Sequence, residues 1–76
     1  MKNIFSYDKI EFRKKIAHNL KKLRKQKHLT QQKLSGLAGI NRISLAETET
    51  GKKSMTLDTL YKIKNVLKVD FAKFFI

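Results

Sequence analysis

The side chains able to do chemistry in this sequence are mostly cationic. Eighteen Lys and Arg stand against 6 Asp and Glu, a formal charge of +12. Arg is confined to Arg13, Arg24 and Arg42, and all the other cations are Lys. Such an excess in a globular chain favours a polyanionic partner, most often nucleic acid. The competing reading is a surface made soluble by lysine. Other chemistries find little support. There is no Cys, which removes disulfides, thiolate zinc sites and thiol nucleophiles. His18 and His28 stand ten apart with no clustered carboxylates beside them, so no metal is expected. Glu47 and Glu49 are two apart, and on a helix they diverge rather than pair. No glycine-rich phosphate loop and no nucleophile–base arrangement occurs. Neither an enzyme nor a cofactor is expected.

The elements that would position these cations are helical. With 41% hydrophobic residues, no Pro and three Gly, 1–76 reads as one all-α domain rather than a turn-rich sandwich or barrel. Phe12, Ile16, Leu20 and Leu23 form one stripe of a helix over 8–27, with Asp8 as N-cap and Glu11 as its capping-box partner. Thr30 caps a short helix over 31–38, whose inner residues are Leu34 and Leu37. Gly39 suits a left-handed turn. Asn41 caps a third helix over 42–49, which Gly51 ends. Thr56 caps a fourth over 57–68, with Leu57, Leu60, Ile63 and Leu67 as its core stripe. A fifth short segment over 70–76 carries Phe71, Phe74, Phe75 and Ile76. No apolar run is long enough for a signal peptide or a membrane span, which makes the expected location cytoplasmic.

Residues 30–51 carry the most information. A short helix, a tight turn at Gly39 and a second short helix make a helix-turn-helix arrangement, in which the first helix crosses the DNA backbone and the second enters the major groove. The first helix N-terminus, with Thr30 and Gln31, should face a phosphate, because its free N–H groups attract anions. In the second helix Leu45 is the inner anchor, leaving Asn41, Arg42, Ser44 and Glu47 to reach base edges.

The run from Leu20 to Phe75 resembles the Cro/phage-repressor (XRE-type) helix-turn-helix family. The likeness rests on Leu29-Thr30-Gln31, Leu34, Gly39, Glu49-x-Gly51 and the Leu57-x-x-Leu60-x-x-Ile63 stripe ending at Val69. Within that family, the restriction–modification controller proteins look most similar. The resemblance implies a compact, lambda-repressor-like five-helix domain that binds operator DNA as a dimer. It implies that Gln31 contacts a phosphate and braces the second helix of the motif. It further implies that Arg42 reads a base, where both forks of an Arg can donate to guanine O6 and N7. Ile43 would meet a thymine methyl, and Glu47 would accept from cytosine N4. Thr50, Lys52, Lys53, Ser54 and Thr56 would grip the backbone. Arg24 and Glu49 match a buried ion pair tying the first helix to the third. Two positions depart from the family pattern. Thr48 replaces Ile or Leu, which predicts looser packing, and Met55 replaces a frequent Pro, which predicts a less rigid loop.

The C-terminal aromatics are not used by this logic. Phe74 and Val69 are expected to close the core. Phe71, Phe75 and Ile76 are then expected to form a two-fold contact placing two such helices about one DNA turn apart, ~34 Å. The sequence therefore reads as a dimeric regulator of transcription whose partners are double-stranded DNA and a second copy, with RNA polymerase added if it activates. No membrane or small-molecule ligand is expected. The rival reading is a protein-interaction module, antitoxin-like or coactivator-like, using the same aromatic surface. RNA binding is disfavoured, since the seven aromatics leave no stacking platform.

Overall fold

The computed structural model describes residues 9–76. Among these residues are four α-helices and one 3-10 turn: α1 (Lys9–Gln26), α2 (Gln31–Ala38), α3 (Arg42–Glu49), α4 (Leu57–Leu67) and the turn Phe71–Phe74. Asp8, the expected cap of the first helix, lies outside the described residues.

Local chemistry sets the boundaries. The Thr30 hydroxyl accepts from the Lys33 N–H at 3.0 Å, the Asn41 side chain accepts from the Ser44 N–H at 3.0 Å, and the Thr56 hydroxyl accepts from the Thr59 N–H at 3.1 Å. Each satisfies an N–H that a helix start leaves open. Gly39 (φ 68°) closes α2, with the Ile40 N–H donating to the Ser35 carbonyl at 3.0 Å. Gly51 (φ 79°) closes α3 in the same left-handed way: its own N–H reaches the Thr48 carbonyl at 3.0 Å, and the Lys52 N–H reaches the Glu47 carbonyl at 3.0 Å. Those crossed bonds are the signature of a Schellman ending. Two non-glycine residues, His28 (φ 59°) and Lys68 (φ 55°), end α1 and α4 in the left-handed region. As a result α1 and α4 each stop one residue earlier than expected.

One core joins all the elements. Leu20 of α1, Leu34 of α2, Leu45 of α3, Leu60, Ile63 and Leu67 of α4, and Phe74 of the 3-10 turn are buried together, with Leu23, Leu29, Ile40, Met55 and Val69 packed around them. The Asn19 amide donates to the Phe74 carbonyl at 2.9 Å in a buried bond 55 residues apart in sequence. It fastens the C-terminal segment to α1.

Three expectations need correction. The fifth helix is a single 3-10 turn, closed by the Lys73 N–H on the Asp70 carbonyl at 3.0 Å. Asp70 offers no side-chain cap, and the turn is held where Phe74 enters the core, so no α-helix propagates. Leu37 is 56% exposed and Leu57 71% exposed. α2 buries Leu34 and Ser35 instead, and α4 turns inward only from Leu60. Both helices bury a stripe narrower than their apolar residues suggest.

Candidate nucleic-acid interface

α3 is pinned from beneath. Leu45 is fully buried, Thr48 and Glu49 are buried beside it, and the Thr48 hydroxyl donates to the Ser44 carbonyl at 2.9 Å. The cap Asn41 and, within the helix, Arg42, Ile43 and Glu47 are all exposed, with Ile43 at 65%. Ile43 and Glu47 lie opposite Leu45, Thr48 and Glu49, while Asn41 and Arg42 stand at the start of the helix. Ser44 was expected on the outer face and is half-buried. Its hydroxyl accepts from the Lys53 ammonium at 3.2 Å. Asn41 commits its side-chain oxygen to the α3 cap.

A buried carboxylate holds three helices in register. Glu49 accepts from Arg24 Nε at 2.7 Å, from Arg24 Nη2 at 2.9 Å and from Gln31 Nε2 at 3.0 Å. The third nitrogen of Arg24, Nη1, donates to the Leu29 carbonyl at 2.6 Å. Arg24 and Glu49 are each 7% exposed. A two-pronged Arg–carboxylate pair is directional, so it fixes the rotation of α3 against α1 as well as its distance. Gln31 thus braces α3 through the carboxylate, and the second hydrogen on Nε2 remains for another acceptor.

The positions expected to grip a backbone cluster at the flanks of α3. Thr30 and Gln31 sit at the start of α2. Thr50, Lys52, Lys53, Ser54 and Thr56 are all exposed on the segment between α3 and α4. Several hydroxyls are already engaged: Thr50 Oγ1 donates to the Glu47 carbonyl at 2.9 Å, and Thr56 Oγ1 lies 3.0 Å from Thr59 Oγ1. Lys53 leans back on α3 instead of standing free in solvent.

The C-terminal aromatics fold onto their own chain. Phe71 stacks on Phe75 (5.6 Å, 4°), Phe75 on Phe12 (6.1 Å, 17°), and Phe71 meets Phe74 edge-on (6.1 Å, 79°). Phe71 is half-buried, whereas Phe75 is 36% and Ile76 70% exposed. Among the described residues no group of three His, Cys, Asp or Glu could hold a metal, and no helix is long and apolar enough to cross a membrane.

Sequence reasoning missed Asn19, the Arg24–Leu29 bond and the position of Lys53. Asn19 had a visible signal: it stands three after Ile16 and four before Leu23, a polar residue on an apolar stripe. The other two bonds depend on where a carbonyl and a hydroxyl arrive after folding, and no local pattern announces them.

Known proteins share this architecture. The chain is 43% identical over 54 residues to YqaE of Bacillus subtilis (strain 168), described as an uncharacterized HTH-type transcriptional regulator, covering 71% of this chain and 47% of that one. It therefore spans about half the length of that relative. An HTH_3 family transcriptional regulator from Vibrio cholerae superposes with a TM-score of 0.84 at 35% identity, over 90% of this chain and 38% of that chain. The restriction-modification controller protein C.AhdI from Aeromonas hydrophila superposes with a TM-score of 0.80 at 27% identity, over 83% of this chain and 96% of its own. The helix-turn-helix family HTH_3 matches residues 20–74, from the middle of α1 to the 3-10 turn, and the chain belongs to that family.

Proposed function

We propose that this chain is a sequence-specific DNA-binding regulator of transcription, of the restriction–modification controller type, acting in the cytoplasm on a pseudo-palindromic operator as a homodimer. The observation that carries this reading is the pinned α3, which exposes Arg42 in its first turn and Ile43 and Glu47 on the side away from the core. A helix offered to the major groove must arrive with its side chains already aimed, and the Arg24–Glu49–Gln31 junction supplies that rigidity. Arg42 reads guanine through O6 and N7, Ile43 meets a thymine methyl, and Glu47 accepts from cytosine N4, with Asn41 and the half-buried Ser44 beside them. Thr30, Gln31, Thr50, Lys52, Lys53, Ser54 and Thr56 hold phosphates and set the register. Phe71, Phe75 and Ile76 form the two-fold contact. The similarity to a controller protein over nearly its whole length supports the controller assignment.

Selection of bound sites from a random pool of duplexes tests this. Enrichment of a two-fold site with half-sites about one helical turn apart is expected. Failure to enrich any sequence overturns the proposal. The exposed Phe75 and Ile76 also suit a protein-interaction module. Sedimentation separates the two readings, because a lone monomer leaves that surface open for another protein and a dimer covers it.

A further inference from the structure

The family match begins at residue 20, yet the first half of α1 lies against the segment expected to hold DNA. A Cβ placed on Gly51 would stand 3.4 Å from Lys14 Cγ and 3.8 Å from Lys14 Cα. The stem of Lys14 therefore runs beside the turn that leads into Lys52 and Lys53, and Lys14 is exposed. One residue earlier, Arg13 lines a crevice of about 80 Å³ whose walls are the apolar Phe12, Ile16, Met55 and Leu60 together with Thr48, Lys53 and Ser54. The Nε of Arg13 is buried and, among the described residues, has no hydrogen-bond partner. A buried guanidinium N–H without an acceptor is costly and calls for explanation. Arg13 and Lys14 of α1 thus lie beside the segment that carries Lys52, Lys53 and Ser54.

We propose that Arg13 and Lys14 close on a backbone phosphate of DNA from the α1 side, while Lys52, Lys53 and Ser54 hold it from the other. The inference rests on the DNA-binding reading above and extends the contact surface beyond the helix-turn-helix. An anionic oxygen is the acceptor that suits this place, since Arg13 and Lys53 line the crevice together with the Ser54 hydroxyl and no carboxylate does. The space of about 80 Å³ exceeds the ~30 Å³ that one water occupies in the liquid. α1 lies across the α3–α4 segment, so the bound phosphate would be one flanking the bases that α3 reads. The contact would lengthen the footprint without altering base preference.

The test compares two double variants of the full chain that remove equal charge. Arg13→Gln/Lys14→Gln removes the clamp. Lys15→Gln/Lys22→Gln removes two exposed lysines from the opposite face of α1. Binding to a duplex carrying the selected site, with several flanking base pairs, is followed by fluorescence anisotropy across a salt series. The first variant is expected to lower the slope of log K against log salt by about 1.8, or ~0.9 for each lost contact. Between about 50 and about 200 mM salt, that variant would lose roughly 12-fold less affinity than the parent. The second variant is expected to leave the slope near that of the parent. Equal slope changes in the two variants, or none in the first, overturn the clamp while leaving the DNA reading intact. Failure of the parent chain to bind any duplex overturns both. Lys14→Gln alone, away from the crevice, keeps the test decisive if loss of Arg13 disturbs folding: a slope lowered by about 0.9 supports the clamp and an unchanged one refutes it.

Discussion

Replacing Glu49 with Ala is the perturbation whose consequence the geometry determines most directly. The carboxylate accepts three N–H bonds, two from Arg24 and one from Gln31. Both members of the ion pair are 7% exposed. An exposed ion pair contributes about 0.2–1 kcal/mol, whereas stripping one partner from a buried pair costs about 3–5 kcal/mol, because the remaining charge stays buried and unpaired. At ~0.05–0.15 kcal/mol per residue, a chain of 76 residues has roughly 4–11 kcal/mol of stability in all. Glu49→Ala should therefore remove a large share of it and lower the melting temperature by about 12 °C or more. The double variant Arg24→Met/Glu49→Leu replaces the pair with apolar groups and should lie within about 1 kcal/mol of the parent, or above it. It should nonetheless bind DNA more weakly, because Gln31 has lost its anchor on α3. Urea unfolding followed by far-UV circular dichroism measures both variants. If Glu49→Ala costs less than about 1 kcal/mol, the junction behaves like a surface pair, and the account of how α3 is held is wrong.

Arg42→Ala should cost about 1–3 kcal/mol of operator affinity and flatten preference at one base pair per half-site; an equal loss on all sequences refutes base reading. Lys68 caps α4 at φ 55°, a conformation that costs a side-chain-bearing residue about 1 kcal/mol relative to glycine, so Lys68→Gly should raise thermal stability. A lower melting temperature would show that the Lys68 side chain contributes more than its backbone strain costs. Ile76→Asp places a charge on a residue that is 70% exposed; under the proposed two-fold contact it should shift the sedimenting species from dimer to monomer while the monomer melts near the parent temperature. A dimer that persists in this variant places the two-fold contact elsewhere.

Local chemistry made the motif legible from the chain alone. The caps at Thr30, Asn41 and Thr56 are bonds to an N–H three residues on, and the endings at Gly39 and Gly51 depend on the conformational freedom of one residue. Such features need no distant partner, so the order of helices and the boundaries of α2 and α3 follow from them. Periodicity likewise named Leu20, Leu34, Leu45, Ile63 and Leu67 as inward-facing. It over-reached at Leu37 and Leu57, since a stripe of apolar residues shows which side of a helix turns inward and not how wide a strip its neighbours cover. The pairing of Arg24 with Glu49 was suggested by family resemblance, and helix patterning by itself gave no reason for it.

The amino-acid order determined α1 to α4, the caps at Thr30, Asn41 and Thr56, and the surplus of positive charge. Folding alone decided which polar groups meet: Asn19 with Phe74 across 55 positions, Gln31 on the carboxylate that Arg24 already holds, Lys53 against Ser44, and Arg13 beside the loop. The physical reason is range. Capping and turn preferences act over a few bonds and can be read in place. A buried polar contact exists only where packing brings a donor within about 3 Å of an acceptor and excludes water from both, and that coincidence belongs to the whole fold.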